Sequence, residues 1–429
     1  MGLLGTACSG WFRTLENSVC GEEVAAAKPK KRCIILWMTG GPSQMDTFDL
    51  KPGHANGGEF KEIATNVPGV RFSEHLPGLA KHADKLAIIR SLQTKEGDHA
   101  RGTYLVRTGI RPGAPVAYPT IGSALAKELG ATDSVLPSYL AVNPPTALNP
   151  DAFSAGFLGA EFAATNIQRS LTGDGNANSD FAKLQLANLS LSPSIDQERN
   201  IKRRELWTQL QSNFAQTHST QSDDAHEVLY QRAFRMMDSN AAEAFDLSQE
   251  PSALREAYGK GLFGQGCLLA RRLIERNVPL VEVALGGDGN GWDTHANIFQ
   301  DVKRLSQELD AGWSTLMTDL EQRGLLEDTT ILWIGEFGRT PTINAAGGRD
   351  HFPGAWSCVM GGGGINGGQV YGATSADGME VTDKPVDISQ VLSTLCSAVG
   401  VDPLHENYAT GGRPIPIVEN GDPIQELLS

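Results

Sequence analysis

The stretch GEFGRTPTINAAGGRDHFPGAW, residues 335–356, follows the apolar run TTILWI and gathers Glu336, Arg339, Arg349, Asp350 and His351 into one loop. A carboxylate, an imidazole and guanidiniums held together just past a strand can bind an oxyanion or a metal ion. Glu336, directly after the strand, is placed for metal ligation or general-base work, or for an ion pair with Arg339. Arg339 and Arg349 can clamp a phosphate or sulfate bidentately, or neutralise carboxylates of their own loop. Asp350 and His351 are neighbours, so a strand would point them apart, but a loop ahead of a proline can present both.

GWDTH, residues 291–295, places Asp293 and His295 two apart, on one face of extended backbone. A carboxylate and an imidazole so spaced can hold one divalent cation. Equally, Asp293 can cap the following helix and His295 pack on it. In GDHARGTYLVRTG, His99 stands at a helix start, where free N–H groups and the dipole favour an anion, and Arg101 adds positive charge. In TGGPSQMDTFD, Asp46 is a candidate metal ligand or an Asx-type turn residue. The functional readings require that His295, Glu336 and His351 converge.

These residues need elements that carry them to one place. CIILWM, LAIIRSL, LPSYLAV, VPLVEVAL, TTILWI and AWSCVM read as buried strands. TIGSALAKEL reads as an amphipathic helix. Ile298, Val302, Leu305, Leu309, Leu316 and Leu320 make one apolar stripe on a long helix that Gly324 stops. Asp387 with Gln390 forms a capping box on DISQVLSTLCSAVG. Alternating strands and helices imply a mainly parallel sheet covered on both faces, with ligands bound at the carboxyl ends of the strands. From about 187 to 266 polar helical stretches replace the alternation, which predicts a helical insert, with LTGDGNANSD before it as an exposed loop. The GGGG run at 361–364 lacks a nucleotide-loop context and is expected to end a strand near the site.

A formal charge of −14, from 36 Lys+Arg against 50 Asp+Glu, argues against a general nucleic-acid binder but leaves room for a local anion site. Six cysteines without CxxC spacing include Cys33, Cys358 and Cys396 in apolar runs, which predicts buried free thiols. No apolar run reaches 18 residues, so no membrane span is expected. The small, apolar start MGLLGTACSGWF, before AAAKPKKR, reads like the back half of an export signal, so residues 1–30 are expected to be a tail and the protein exported.

MTGGPSQMDTFDLKPG (38–53), GWDTH (291–295) and GEFGRTP…GRDHFP (335–353) resemble, in this order, the DUF1501 family. That family in turn resembles the alkaline phosphatase/sulfatase superfamily. The resemblance implies an α/β fold: an alkaline-phosphatase-like three-layer sandwich with a central, mostly parallel sheet and a helical insert. It also implies a metal-assisted hydrolase ancestry. The chain departs from the superfamily at Thr39, where a first metal aspartate is expected. It departs at His99, where the nucleophile would stand, and at Glu336-Phe337, where Asp-His is expected. One metal position, built from Asp293, His295, Glu336, Asp350, His351 or Asp46, is then expected to hold a single divalent ion: zinc, calcium or manganese. His99 would be an acid–base or nucleophilic group, and Arg101 and Arg339 would stabilise charge. The expected partner is an anionic small-molecule or glycan ester, either hydrolysed or merely bound.

Overall fold

The computed structural model describes residues 31–131, 134–170, 181–186, 189, 195–217, 221–286 and 291–429. Residues 1–30, expected as a tail, and residues 171–180, expected as an exposed loop, lie outside the described residues.

Strand β1 (Arg32–Met38) is buried along its whole length, as a strand covered on both faces must be. Its side chains alternate between two cores. Ile34, Leu36 and Met38 face one core; Cys33, Ile35 and Trp37 face the other. Eight further strands join it: β2 (Leu86–Leu92), β3 (Tyr139–Val142), β4 (Thr165–Arg169), β5 (Leu184–Leu186), β6 (Leu280–Leu285), β7 (Thr329–Gly335), β8 (Trp356–Gly362) and β9 (Gln369–Tyr371). Their order across the sheet is β9-β2-β8-β7-β1-β6-β3-β4-β5. All run one way except β8, antiparallel to β2 and β7, and the edge strand β5, antiparallel to β4.

The helices are α1 (His99–Thr108), α2 (Ile121–Leu129), α3 (Gln197–Thr217), α4 (Gln221–Asp238), α5 (Ser252–Tyr258), α6 (Leu262–Glu275), α7 (Ile298–Gln322) and α8 (Ile388–Ala398). Leu105 of α1, Leu125 of α2 and Leu395 of α8 cover one face of the sheet. Leu269 of α6 and Leu305 of α7 cover the other, which makes three layers. Every member of the apolar stripe from Ile298 to Leu320 is buried. Gly324 ends that segment at φ 66°. Asp387 and Gln390 close the capping box on α8. The long helices α3 and α4 fall in the stretch 187–266, whereas α6 crosses its far boundary and belongs to the core.

Cys33, Cys267, Cys358 and Cys396 are buried free thiols, and burial raises the pKa of each. Among the described residues no helix is long and apolar enough to cross a membrane.

The GGGG run does end a strand, β8, but not near the site, because β8 runs against the sheet. Gly362 pairs with Thr330 and the Gly363 N–H reaches Thr329 O, so the run lies where β7 begins, at the end away from the strand-end loops. The same reversal brings the start of β8, and His351 before it, to the carboxyl ends of the parallel strands.

Candidate metal centre

Three adjacent strands end level: Met38 of β1 pairs with Leu285 of β6 and with Gly335 of β7. The loops leaving them therefore emerge side by side. The loop after β6 carries Asp293 and His295, and Glu336 follows β7. The segment after β2 leads into α1, where Asp98 caps by accepting from the Arg101 N–H and sets His99 at the first turn. Gly338–Arg339 pairs antiparallel with His351–Phe352, which draws the returning loop back over the site.

Two glycines permit the close approaches. Gly41 has φ +73°, and a Cβ there would stand 2.5 Å from the Phe337 carbonyl oxygen. A Cβ on Gly348 would stand 2.0 Å from the His295 carbonyl carbon, so only glycine lets the 344–350 loop lie on the ligand loop.

One oxygen, Asp293 Oδ1, is the focus. His99 Nε2 lies 3.3 Å from it, His295 Nε2 3.0 Å and His351 Nε2 3.2 Å. Arg339 Nη2 donates to it at 2.7 Å. Each imidazole is held by its other nitrogen. His99 Nδ1 meets Glu336 Oε1 at 2.7 Å, His295 Nδ1 meets Asp350 Oδ1 at 2.7 Å, and His351 Nδ1 donates to the Gly97 carbonyl at 2.7 Å. With the Nδ1 atoms so committed, it is the Nε2 atoms that face the centre.

Glu336 is 1% exposed; its Oε1 also accepts from the Gly40 N–H at 2.8 Å, while its Oε2 has no hydrogen-bond partner. Arg339 is wholly buried and also donates to the Gly40, Gly41 and Arg349 carbonyls.

The charges follow from this packing. Burial opposes the charged form of His99, but the Asp293 and Glu336 carboxylates outweigh it and raise the imidazole to about 9. Burial would raise the Asp293 carboxyl, yet His351, His99 and Arg339 hold it far below the usual carboxylate range. The His295 hydrogen bond is the main cause that keeps Asp350 low. A set of three imidazole nitrogens and one carboxylate is the donor set of a divalent transition-metal site. Its spacings of 3.0–3.3 Å about Asp293 Oδ1 approach the edge of a tetrahedron with bonds of roughly 2 Å. His99, Asp293 and His351 meet as one possible cation cluster among the described residues, and His295 stands at its exposed rim.

The sequence candidates thus separate into two groups. Asp293, His295, His351 and His99 meet at one point; Glu336 and Asp350 stand behind them on His99 and His295; Arg339 braces Asp293. Asp46 is elsewhere: it is buried against Arg349 Nε at 2.8 Å and accepts from Ser43 Oγ, so its carboxylate is spent on a guanidinium. That pairing also removes Arg349 as an anion clamp. Arg101 turns away to Glu96, which it meets with two N–H donors, Nε–Oε2 at 2.7 Å and Nη2–Oε1 at 2.8 Å. Sequence reading missed Glu96, the Gly97 carbonyl, the Gly40 N–H and Asn344, whose Nδ2 bonds His295 O and Asp350 Oδ1. Backbone partners leave no signal in residue type. The N–x5–D spacing of Asn344 and Asp350 offers none either.

A cleft of about 1040 Å³ opens beside the cluster and shares Asp293 and His295 with it.

Several solved structures are similar in fold. A protein of the alkaline phosphatase superfamily from Vibrio parahaemolyticus is 11% identical, with 87% of this chain and 67% of that chain covered and a TM-score of 0.42. The zinc complex of the C-terminal periplasmic domain of EcEptC from Escherichia coli is 10% identical, with 90% and 93% covered and a TM-score of 0.40. The lipoteichoic acid synthase LtaP from Listeria monocytogenes is 12% identical, with 91% and 75% covered and a TM-score of 0.37. Likeness at this level says nothing of activity. No curated protein matches the sequence. The model of the family described as "Protein of unknown function (DUF1501)" matches residues 30–428, and the chain belongs to that family.

Proposed function

We propose that this chain is an exported hydrolase of phosphate or sulfate esters that works with one divalent metal ion. The observation that carries the reading is the convergence of three imidazole Nε2 atoms on Asp293 Oδ1 with every Nδ1 tied back. His99, Asp293, His295 and His351 would hold the ion. Imidazole nitrogens suit zinc better than manganese or calcium, which favour oxygen ligands. Such a cation supplies Lewis-acid polarisation of an ester oxygen and lowers the pKa of water.

The chain's own residues do the rest. Glu336, Asp350 and the Gly97 carbonyl fix the three rings. Arg339 offsets the charge of Asp293. The exposed His295 faces the cleft, where an ester would arrive. Both nitrogens of His99 face carboxylates, which favours a ligand over a nucleophile. Export rests on the apolar start of the sequence.

The test is elemental analysis of the purified protein beside a panel of aryl phosphates and aryl sulfates. About one metal per chain and turnover lost in His351→Ala are expected. Metal content near zero after incubation with zinc and manganese, or unchanged turnover in His351→Ala, ends the proposal. A second reading is an anion-binding protein without turnover. It is favoured by one fact: every side chain on Asp293 Oδ1, among the described residues, is an imidazole or a guanidinium, with no hydroxyl or thiol nucleophile. Saturable anion binding with no hydrolysis of any ester would select it.

A further inference from the structure

The two oxygens of the buried Glu336 side chain are held unequally. Oε1 accepts from the Gly40 N–H at 2.8 Å and meets His99 Nδ1 at 2.7 Å, whereas Oε2 is buried without a hydrogen-bond partner. A carboxylate can accept about four hydrogen bonds, and a buried oxygen that accepts none is costly.

Two buried hydroxyls on the neighbouring elements share that condition. Thr39 is 4% exposed and Thr103 is wholly buried, and neither Oγ1 has a partner. Trp37 pairs with Ile334 and Met38 with Gly335, so the next step along β1 and β7 sets Thr39 beside Glu336. Trp37 and Ile334 belong to one core, and the two-residue period puts Thr39 and Glu336 on that same side of the sheet.

Thr103 comes from α1, which packs on this side. His99, Gly102, Thr103 and Val106 share one face of the helix at three- and four-residue steps. His99 holds the Glu336 carboxylate, and a Cβ on Gly102 would stand 3.2 Å from the Glu336 carbonyl oxygen, so this face lies directly on Glu336. A threonine inside a helix can turn its hydroxyl back to the carbonyl four residues earlier, as Thr108 does to Tyr104 O at 2.7 Å. Thr103 makes no such bond to the His99 carbonyl.

We infer that Thr39 and Thr103 are positioning residues: with one buried water they hold Glu336 Oε2, and through Glu336 they set the ring of His99. A buried water makes about three hydrogen bonds to polar groups that otherwise lack partners, which is the number of such atoms here. It donates to the carboxylate oxygen and pairs with both hydroxyls, each of which can donate or accept. With Oε2 held, the carboxylate cannot swing, Oε1 stays on His99 Nδ1, and His99 Nε2 stays aimed at Asp293 Oδ1. The consequence for a bound metal rests on the proposed metal centre; the water and the ring orientation do not.

A high-resolution crystal structure of the wild-type protein, grown without added metal, tests this directly. One solvent peak is expected within roughly 2.5–3.0 Å of Glu336 Oε2, Thr39 Oγ1 and Thr103 Oγ1. Thr39→Val/Thr103→Val keeps the side-chain shape but removes both hydroxyls. The peak should vanish there, and the His99 ring resonances of the metal-free protein should move in NMR spectra. Thr39→Ser/Thr103→Ser should restore both signatures, a rescue that a merely space-filling role would not give, since serine lacks the methyl group. In zinc competition titrations the valine pair should bind about 3–10-fold more weakly than wild type, less than the loss expected on removing an outer carboxylate itself. No peak shared by the three oxygens, a peak at metal–ligand distances of about 2.0–2.5 Å, or wild-type His99 resonances in the valine pair overturns the inference. These three outcomes are read without added metal, so they stand apart from the fate of the proposed hydrolase.

Discussion

His295 Nε2 and His351 Nε2 stand 3.0 Å apart, although each ring has its Nδ1 turned to a fixed acceptor. A contact this short between two ring nitrogens is favourable only with a proton or a cation between them. The outer acceptors therefore control the centre.

Asp350→Asn keeps the shape of the side chain behind His295 but removes its charge. Metal affinity should fall by about 10–100-fold, the usual cost of losing a carboxylate behind a metal-binding histidine. Competition titration with a chromogenic chelator checks it. Unchanged affinity would mean that His295 is not a ligand.

Glu336→Gln should lower affinity by a similar 10–100-fold through His99. NMR of the ring nitrogens supplies a second readout, since the amide no longer enforces a proton on His99 Nδ1. Wild-type signals for His99 in the variant would contradict the assignment.

Arg101→Ala should leave metal content as it is, because Arg101 pairs with Glu96 and not with the cluster. Arg339→Met, by contrast, strips Asp293 of its closest donor and exposes the Gly40 and Gly41 carbonyls to a buried, unpaired state. Thermal melting should show the second variant clearly less stable and the first near wild type.

Arg107 and Glu282 are a fully buried pair, bidentate at 2.7–2.9 Å, with the Tyr139 hydroxyl donating to Glu282 at 2.7 Å. Arg107→Met should cost roughly 3–5 kcal/mol in urea unfolding, because it strands a charge. The double variant Arg107→Met/Glu282→Leu should recover much of that loss.

His82 supplies a pH dependence. Burial, chiefly, lowers its pKa below the ordinary value, and its Nε2 meets Thr318 Oγ1 at 3.1 Å. As pH falls through about 6.5 the unfolded chain takes up a proton that the folded ring resists, so stability drops from there down to the lowered folded pKa. Above that window His82 contributes no pH dependence. His82→Gln should flatten this part of a stability–pH curve; an identical slope in both proteins would refute the assignment.

The periodic parts of the fold are legible in the sequence because burial imposes a pattern. Leu305 and Leu309 must repeat at helical steps to reach one core, and Ile34 to Met38 must be apolar throughout to fill two. The direction of β8 leaves no such mark, since a buried strand has the same composition either way. That is why the GGGG run was expected at the wrong end of the sheet. Asp46 shows a second limit: metal ligand and partner of Arg349 demand the same side chain, and the partner is 303 residues away. The loops bearing Asp293 and His351 stand out by their density of charge, but only the pairing of Arg339 with His351 explains how they meet.

The side chains that would hold a metal come from residues 99, 293, 295 and 351 of a chain of 429, and they meet only once β1 lies between β6 and β7. A nascent chain that stops before residue 351 has no complete coordination sphere. A metal bound here would enter after folding, so whichever compartment finishes the fold would also choose the ion.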